Sequence, residues 1–167
     1  MSDFVPGNRI GLLRTGAEYF PALEAACDAA AREIYLETYI FEDDATGQRI
    51  AAALSRAAQR GVAVHVMIDG FGSKDLSEEF LDALRRTGVR VLKYRPDISP
   101  WTLRRERLRR MHRKITVVDA KVAFVGGINI IDDMHTPKQV PPRFDYAVRV
   151  EGPLLAAIHQ AVAHLWV

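Results

Sequence analysis

The chain has 167 residues and a mass of 18.7 kDa, with 49% hydrophobic residues and a formal net charge of +2. This composition is that of an ordinary globular domain and excludes disordered and collagen-like chains, and so small a net charge does not by itself indicate nucleic-acid binding. No apolar run reaches the roughly eighteen residues that cross a bilayer, and the single cysteine, Cys27, excludes an internal disulfide.

Strand and helix patterns alternate along the chain. β-branched or alternating runs predict strands, and apolar residues at helical spacing predict helices. The predicted strands are RIGLLR (9–14), 33–41, 62–69, VRVLKY (89–94), KITVVD (114–119), VAFVGG (122–127) and DYAVRVEG (145–152). The predicted helices run from a capping box at Thr15 and Glu18 to about Arg32, over 43–61 with Gly61 as its left-handed cap, over 75–88, and from Pro153 to the end. Strands alternating with helices, plus one hairpin, predict an α/β fold in which helices sandwich a mixed sheet.

Two features bear on domain organisation. Residues 132–144 form a long polar loop with several prolines, and such loops commonly carry function. The last helix halts at AVAHLWV with no cap or polar tail. We therefore expect residues 1–167 to be a single domain, the first of two in a longer native chain.

The stretch RMHRKITVVDAKVAFVGGIN, residues 110–129, combines side chains that are unusual in a packing element. It contains His112, Lys114, Asp119, Gly126, Gly127 and Asn129. On a strand, alternate residues share a face, so the histidine and the lysine project together from one edge. A neutral imidazole attacks phosphorus near neutral pH, and an adjacent ammonium neutralises phosphoryl oxygens as charge rearranges. The paired glycines have no Cβ, so the backbone can come close to a bound group, and the asparagine amide can donate to a phosphate oxygen.

The same combination, at these offsets, resembles the signature of the phospholipase D superfamily, His-x-Lys with a following aspartate. The segments IYLETYIFEDDATGQRIAAAL, AQRGVAVHVMIDGFGS and DYAVRVEGP extend the likeness to bacterial cardiolipin synthases, those of the B type above all, over nearly the whole chain. The resemblance implies a phospholipase D-like α-β-α domain. It also implies phosphodiester exchange through a phosphohistidine, without a metal ion or other cofactor.

The resemblance assigns roles residue by residue. His112 is nucleophile or acid, Lys114 and Asn129 bind the phosphoryl oxygens, and Asp119 positions the site. Asp145 matches the carboxylate that orients the motif histidine in the superfamily, which fixes its tautomer. Gly126 and Gly127 leave the backbone close to the phosphate. Glu37, in a segment that also matches the family, is expected to support these groups from behind.

Three further groups of residues in the sequence have side chains that could take part in binding or catalysis. The basic run before the histidine consists of Arg104, Arg105, Arg107, Arg109, Arg110 and Arg113. It could be a solvated face, could hold an anionic lipid headgroup, or could hold a nucleic-acid backbone, and the neighbouring Trp101 slightly favours a membrane interface. Glu37, Asp69 and Asp119 lack the spacing of a metal site, so no metal is expected. His65 lies on a buried strand and is expected to be a satisfied core histidine.

The mechanism of the superfamily needs two such motifs facing each other, and this sequence holds one. None of the other histidines has a lysine two residues on. The second motif is therefore expected in cis, from a second half of the native chain, or in trans, from a homodimer.

Three functions stay open on the sequence. The first is a phosphatidyl transferase of the cardiolipin synthase kind, using phosphatidylglycerol and an acceptor phospholipid at the cytoplasmic face of a bacterial inner membrane, bound peripherally. The second is a homodimeric phosphodiesterase or endonuclease of the same superfamily, with nucleic acid the less favoured partner. The third is a non-catalytic half that only binds membranes.

Overall fold

A computed structural model describes residues 4–95, 110–136 and 140–166 of the chain. Its strands are β1 (Arg9–Arg14), β2 (Glu33–Thr38), β3 (Ala63–Asp69), β4 (Arg90–Tyr94), β5 (Ile115–Val118), β6 (Val122–Gly126) and β7 (Tyr146–Glu151). They form one seven-stranded sheet in the order β1-β7-β6-β5-β2-β3-β4. The pairs β2–β3 and β3–β4 are parallel, and the pairs from β1 through β7, β6 and β5 to β2 are antiparallel. The predicted mixed sheet is confirmed.

The helices are α1 (Thr15–Ala29), α2 (Ala45–Gln59), α3 (Glu78–Arg86) and α4 (Leu155–Ala163), followed by a 3₁₀ turn over His164–Trp166. Parallel neighbours in a sheet need crossover connections, and α2 and α3 supply them for the β2–β3 and β3–β4 pairs. Buried side chains of α1, α2 and α3 share the larger core with one face of the sheet. On the other face, Leu155 and Val162 of α4 pack with Val117, Ala123 and Val150. Helices therefore cover both faces, as predicted.

None of the helices described here combines the length and apolar character that a bilayer crossing requires.

Most observed elements are a residue or more shorter than predicted, and three of the differences have a clear structural reason. β2 ends at Thr38, because the chain then leaves the ladder and Phe41 forms a parallel bridge with Ile130. α1 ends at Ala29 rather than near Arg32, since the following backbone is held by a carboxylate from the β5–β6 turn. Pro153 lies in the turn before α4 rather than in its first helical turn.

The predicted capping box at the start of α1 is displaced. Arg14 is the residue that precedes the helix, and its N–H donates to Glu18 at 2.8 Å. The N–H of Gly16 donates instead to the Asp133 carboxylate at 2.7 Å, which comes from the distant polar loop. Asp133 therefore satisfies one N–H of the first turn from outside the helix, while Thr15 Oγ1 accepts from the N–H of Ala17 at 3.3 Å. At the other predicted cap, Gly61 has the expected positive φ, +90°.

Candidate active site

The site lies where four strand ends meet at one edge of the sheet. Because neighbouring strands there are antiparallel, β2 and β6 end at this edge while β5 and β7 begin at it. The register places Glu37 opposite Ile115 and Gly126 opposite Ala147. Residues distant in sequence, from the end of β2 to the start of β7, are thereby assembled around residues 112–114.

The histidine and the lysine of the motif are in direct contact. The Lys114 Nζ atom lies 3.2 Å from each ring nitrogen of His112 and donates to the His112 backbone oxygen at 3.0 Å. The imidazole is exposed, whereas Lys114 is buried, 6% exposed. Burial lowers the pKa of the ammonium, and the nearby Asp145 carboxylate partly opposes this shift. An ammonium is a donor only, so a hydrogen bond in this contact would engage the lone pair of a ring nitrogen.

The Asp145 carboxylate lies against Gly127. A Cβ on Gly127 would stand 2.3 Å from Asp145 Oδ1 and 2.6 Å from Oδ2, so only glycine allows this approach. Asp145 Oδ1 accepts from the N–H of Tyr146 at 2.7 Å. Among the described residues, no hydrogen bond or ion pair joins Asp145 to His112. Asp145 acts instead on Lys114, whose pKa its negative charge raises.

The backbone N–H groups of the two glycines are already used. Gly126 donates to the backbone carbonyl oxygen of Lys114 at 3.2 Å, and Gly127 donates to the backbone carbonyl oxygen of Tyr146 at 2.9 Å. In this structure the glycines therefore do not offer N–H groups to a phosphate, and they act by leaving room. A Cβ on Gly126 would meet the Tyr146 oxygen at 2.4 Å.

Asn129 is held by one side of its amide. Its Oδ1 accepts from the N–H of Ile40 at 3.0 Å, just past the end of β2. The side chain is half-buried. With the oxygen engaged by the backbone, the NH₂ group is the part of the amide suited to an anionic oxygen.

Asp119 does not reach the site. It follows β5, while His112 precedes it, so the two residues lie at opposite ends of the strand. The carboxylate accepts from the backbone N–H groups of Ala31, Arg32 and Glu33 at 2.9, 2.8 and 3.0 Å. Burial opposes its ionisation, but these three donors outweigh burial and the pKa of Asp119 lies below its ordinary value. Its place is in the scaffold, tying the α1–β2 connection to the hairpin.

Glu37 supports the site through Arg113. The glutamate is 1% exposed, and its carboxylate oxygens lie 2.9 and 3.1 Å from the terminal guanidinium nitrogen Nη2 of Arg113. Burial raises the pKa of Glu37 to about 7, although the guanidinium acts in the opposite direction. Arg113 and Arg110 line a cavity of about 230 Å³ together with His112. The other members of the predicted arginine run, Arg104, Arg105, Arg107 and Arg109, lie outside the described residues.

Two residues near His112 were not recognised from the sequence as parts of the site. The ring of Tyr39, directly after β2, lies 4.8 Å from the His112 ring. Asp69, at the end of β3, accepts from the N–H of Met111 at 2.8 Å. The useful signal was position, because the carboxyl ends of β2 and β3 lie at the same edge as the motif.

The remaining candidates from the sequence are the carboxylates considered for a metal site and the core histidine His65. Among the described residues, no three acidic, histidine or cysteine side chains cluster as a metal site would require. His65 is buried, stacked on Tyr35 at 4.7 Å and in edge contact with Trp166 at 4.9 Å. Within the part of the chain that the structure describes, its Nδ1 atom has no hydrogen-bond partner, so the expectation of a fully satisfied core histidine is only partly met. Burial, reinforced by Arg90, lowers the pKa of His65.

Comparison with known proteins places these features in a family. The family model described as "Cardiolipin synthase, PLD-like domain" matches residues 23–166. The chain is 44% identical over 154 residues to cardiolipin synthase B from Shigella flexneri, covering 92% of this chain and 37% of that protein. It is 31% identical over 156 residues to cardiolipin synthase 1 from Bacillus anthracis, covering 93% and 30%. The chain thus spans about a third of the length of these relatives.

A solved structure supports the fold. Nuc, a phospholipase D family member from Salmonella typhimurium, superposes with a TM-score of 0.68 at 19% identity, over 96% of this chain and 95% of that one. At this identity the likeness concerns architecture alone, and it agrees with the α-β-α domain expected from the motif. The match over residues 23–166 establishes that the chain belongs to the cardiolipin synthase, PLD-like domain family.

Proposed function

We propose that this chain is one catalytic half of a phosphatidyl transferase of the cardiolipin synthase kind, which moves a phosphatidyl group between phospholipids through a phosphohistidine. The observation that carries the proposal is the contact between the exposed His112 ring and the buried Lys114 ammonium, 3.2 Å apart at the sheet edge. The 44% identity to cardiolipin synthase B, over 92% of the chain, supports the choice of substrate class.

The proposed chemistry begins with attack by a His112 ring nitrogen on the phosphorus of a phospholipid such as phosphatidylglycerol. A P–N bond forms as the P–O bond to the headgroup alcohol breaks, and a second histidine gives the leaving oxygen a proton. The hydroxyl of an acceptor phospholipid then attacks phosphorus, the P–N bond breaks, and the second histidine takes the proton of that hydroxyl. Lys114 and the Asn129 amide stabilise the phosphoryl oxygens during both steps.

The second histidine must come from outside this motif. His65 is buried, and His159 contacts Glu33 at 2.8 Å on the face that α4 covers. We propose that a further half of the native chain, in cis, presents the second motif. The relatives leave room for it, since this chain covers 37% of cardiolipin synthase B.

Substrate approach is proposed to occur at a membrane surface. Arg110 and Arg113 line the cavity beside His112, and Arg110 also lies over the ring of Phe71 at 4.7 Å. Guanidinium groups beside an exposed aromatic ring suit anionic headgroups at the depth of the interface. We propose peripheral binding at the cytoplasmic face of a bacterial inner membrane.

The test uses the intact native protein and vesicles that contain radiolabelled phosphatidylglycerol. We expect labelled product to form, and acid-quenched enzyme to carry label on His112. His112→Ala should lose both signals, whereas His135→Ala, a change in the exposed polar loop, should keep them. Full turnover in His112→Ala would overturn the proposal. Vesicle binding with no turnover would instead favour the non-catalytic membrane-binding half.

A homodimeric phosphodiesterase is the second candidate, favoured by one observation. Nuc, of which 95% is covered by this chain, is a phospholipase D family member with the extent of a single such domain. Under this alternative two copies of the chain would face each other across their His112 edges. Sedimentation of the chain as a stable dimer, with metal-independent cleavage of DNA, would support it, and a monomer inert on DNA would exclude it.

A further inference from the structure

We propose that Tyr39 and Asp69 are positioning residues for His112, Tyr39 acting on its ring and Asp69 on its backbone. The inference rests on the proposed role of His112 as nucleophile. Neither residue belongs to the motif.

The first line of argument is the ring contact. The Tyr39 and His112 rings lie 4.8 Å apart between centroids with planes inclined at 50°. The same tyrosine ring lies 5.3 Å from the Lys114 Nζ atom. Tyr39 therefore contacts both partners of the reactive pair, and a cation near an aromatic face is attracted to it. An exposed imidazole would otherwise be free to change rotamer.

The second line of argument concerns the backbone just before His112. Asp69 is fully buried, 0% exposed, and one carboxylate oxygen accepts from the N–H of Met111 at 2.8 Å. Its other oxygen accepts from Phe71 and Gly72, each at 3.0 Å. Hydrogen bonds to an ionised acceptor are stronger than neutral ones. Asp69 thus ties the residue preceding His112 to the loop that follows β3.

The same loop also holds Tyr39. Ser73 is 1% exposed. Its Oγ atom donates to the backbone carbonyl oxygen of Tyr39 at 3.1 Å and accepts from the N–H of Phe41 at 2.9 Å. The backbone N–H of Ser73 donates to the backbone carbonyl oxygen of Asp69 at 3.0 Å. A Cβ on Gly72 would stand 2.2 Å from the Tyr39 oxygen, so glycine is needed for this approach.

One element, the loop at residues 70–73, therefore fixes both supports of His112. It holds Tyr39, which packs on the ring, and it shares the Asp69 carboxylate with Met111. In-line attack on phosphorus needs an imidazole held in one orientation, and small misplacements of a reacting group cost as much as about a hundredfold in rate. Loss of either support should lower the rate of phosphohistidine formation more than it lowers substrate binding.

The experiment compares four variants of the intact protein. Tyr39→Leu and Asp69→Asn remove the two supports, and Tyr39→Phe keeps the ring. Leu54→Ala truncates a fully buried side chain of α2 and controls for general destabilisation. In steady-state assays of labelled-lipid turnover we expect Tyr39→Leu and Asp69→Asn to lower kcat about 10- to 100-fold with KM within about twofold. Tyr39→Phe and Leu54→Ala should retain kcat within about threefold where they are folded.

Nuclear magnetic resonance gives a readout independent of turnover. Tyr39→Leu should shift the His112 Cε1–H signal, and Asp69→Asn should remove the exchange protection of the Met111 amide; Leu54→Ala should do neither. Should wild-type protein form no phosphohistidine, the proposed function fails, while these spectra still judge the two contacts. The positioning roles are overturned if Tyr39→Leu keeps wild-type kcat, or if it leaves the His112 signal unmoved. If Asp69→Asn does not fold, the comparison of Tyr39→Leu with Tyr39→Phe tests the proposal.

Discussion

Lys114 touches His112 at three points, with Nζ 3.2 Å from each ring nitrogen and 3.0 Å from the backbone oxygen. The buried cation is thus fixed against the residue that we propose it assists. An ammonium already held beside the proposed nucleophile could meet a phosphoryl oxygen without first reorganising, which is the condition under which such charges lower a barrier most.

Lys114→Met should abolish most of the activity while keeping the fold. Methionine occupies a similar volume without a buried charge, so stability should be retained or improved, whereas the rate should fall about 10²- to 10³-fold. Labelled-lipid turnover and thermal unfolding would measure the two effects. Lys121→Met, an exposed lysine at the far end of the same hairpin, is the matched control and should leave both unchanged. Near-normal turnover in Lys114→Met would contradict the assigned role.

Gly127→Ala should displace the Asp145 carboxylate. The added methyl group would stand 2.3 Å from Asp145 Oδ1 and must displace the carboxylate, which acts electrostatically on Lys114. We expect turnover to fall at least about tenfold. Gly11→Ala in β1, where a Cβ would meet nothing within 4 Å, is the control and should be silent. A crystal structure of Gly127→Ala with Asp145 unmoved would refute the explanation.

Glu37 should make the stability of the protein depend on pH. Burial raises its pKa from 4.5 to about 7 in the folded state. The folded chain therefore binds more protons than the unfolded chain between those values, and the free energy of unfolding falls as pH rises from 4.5 to above 7. The loss is at most on the order of 3 kcal/mol.

Urea unfolding at pH 5 and pH 8 would measure this dependence. Glu37→Gln keeps the size of the side chain but cannot ionise, so its stability should vary less across the same range. Parallel pH curves for wild type and Glu37→Gln would show that Glu37 is not the group responsible.

Asp119→Asn should cost stability rather than chemistry. Three backbone donors converge on this carboxylate at 2.8–3.0 Å, and an amide oxygen cannot accept all of them equally well. We expect a loss of about 2–3 kcal/mol at neutral pH, with kcat per folded molecule within a few-fold of wild type. The pKa of Asp119 is lowered in the folded state, so its contribution should disappear as pH falls below the ordinary value of 3.8. A large fall in kcat with unchanged stability would return Asp119 to the site.

The sequence predicted the seven strands, the four helices and the projection of His112 and Lys114 to the same side, because these follow from local patterns and from alternation along an extended segment, although β5 itself begins at Ile115. The predicted strand at 114–119 already put His112 and Asp119 at its opposite ends, but the sequence did not show that the Asp119 carboxylate binds the backbone N–H groups of Ala31, Arg32 and Glu33. The roles of Tyr39 and Asp69 were also missed, since they depend on which strand ends share an edge, and that is set by the order of strands in the sheet.

The capping of α1 shows the same limit. Thr15 and Glu18 have the spacing of a capping box, yet the Gly16 N–H is satisfied by Asp133, 117 residues away. Local propensity is a weak guide where a distant side chain satisfies part of a helix end. The loop that carries Asp133 was expected to be functional from its composition, but its anchoring on the first turn of α1 could only be seen in three dimensions.

The position of β7 has a consequence for synthesis. This strand lies between β1 and β6, so β1 pairs with a segment translated more than a hundred residues later. The first strand to leave the ribosome must wait for the last, and contacts so far apart in the chain slow folding. Asp145 arrives with that last strand. A nascent chain therefore contains His112, Lys114 and Asn129 before it contains the Asp145 carboxylate, and these side chains come together only after β7 has been made.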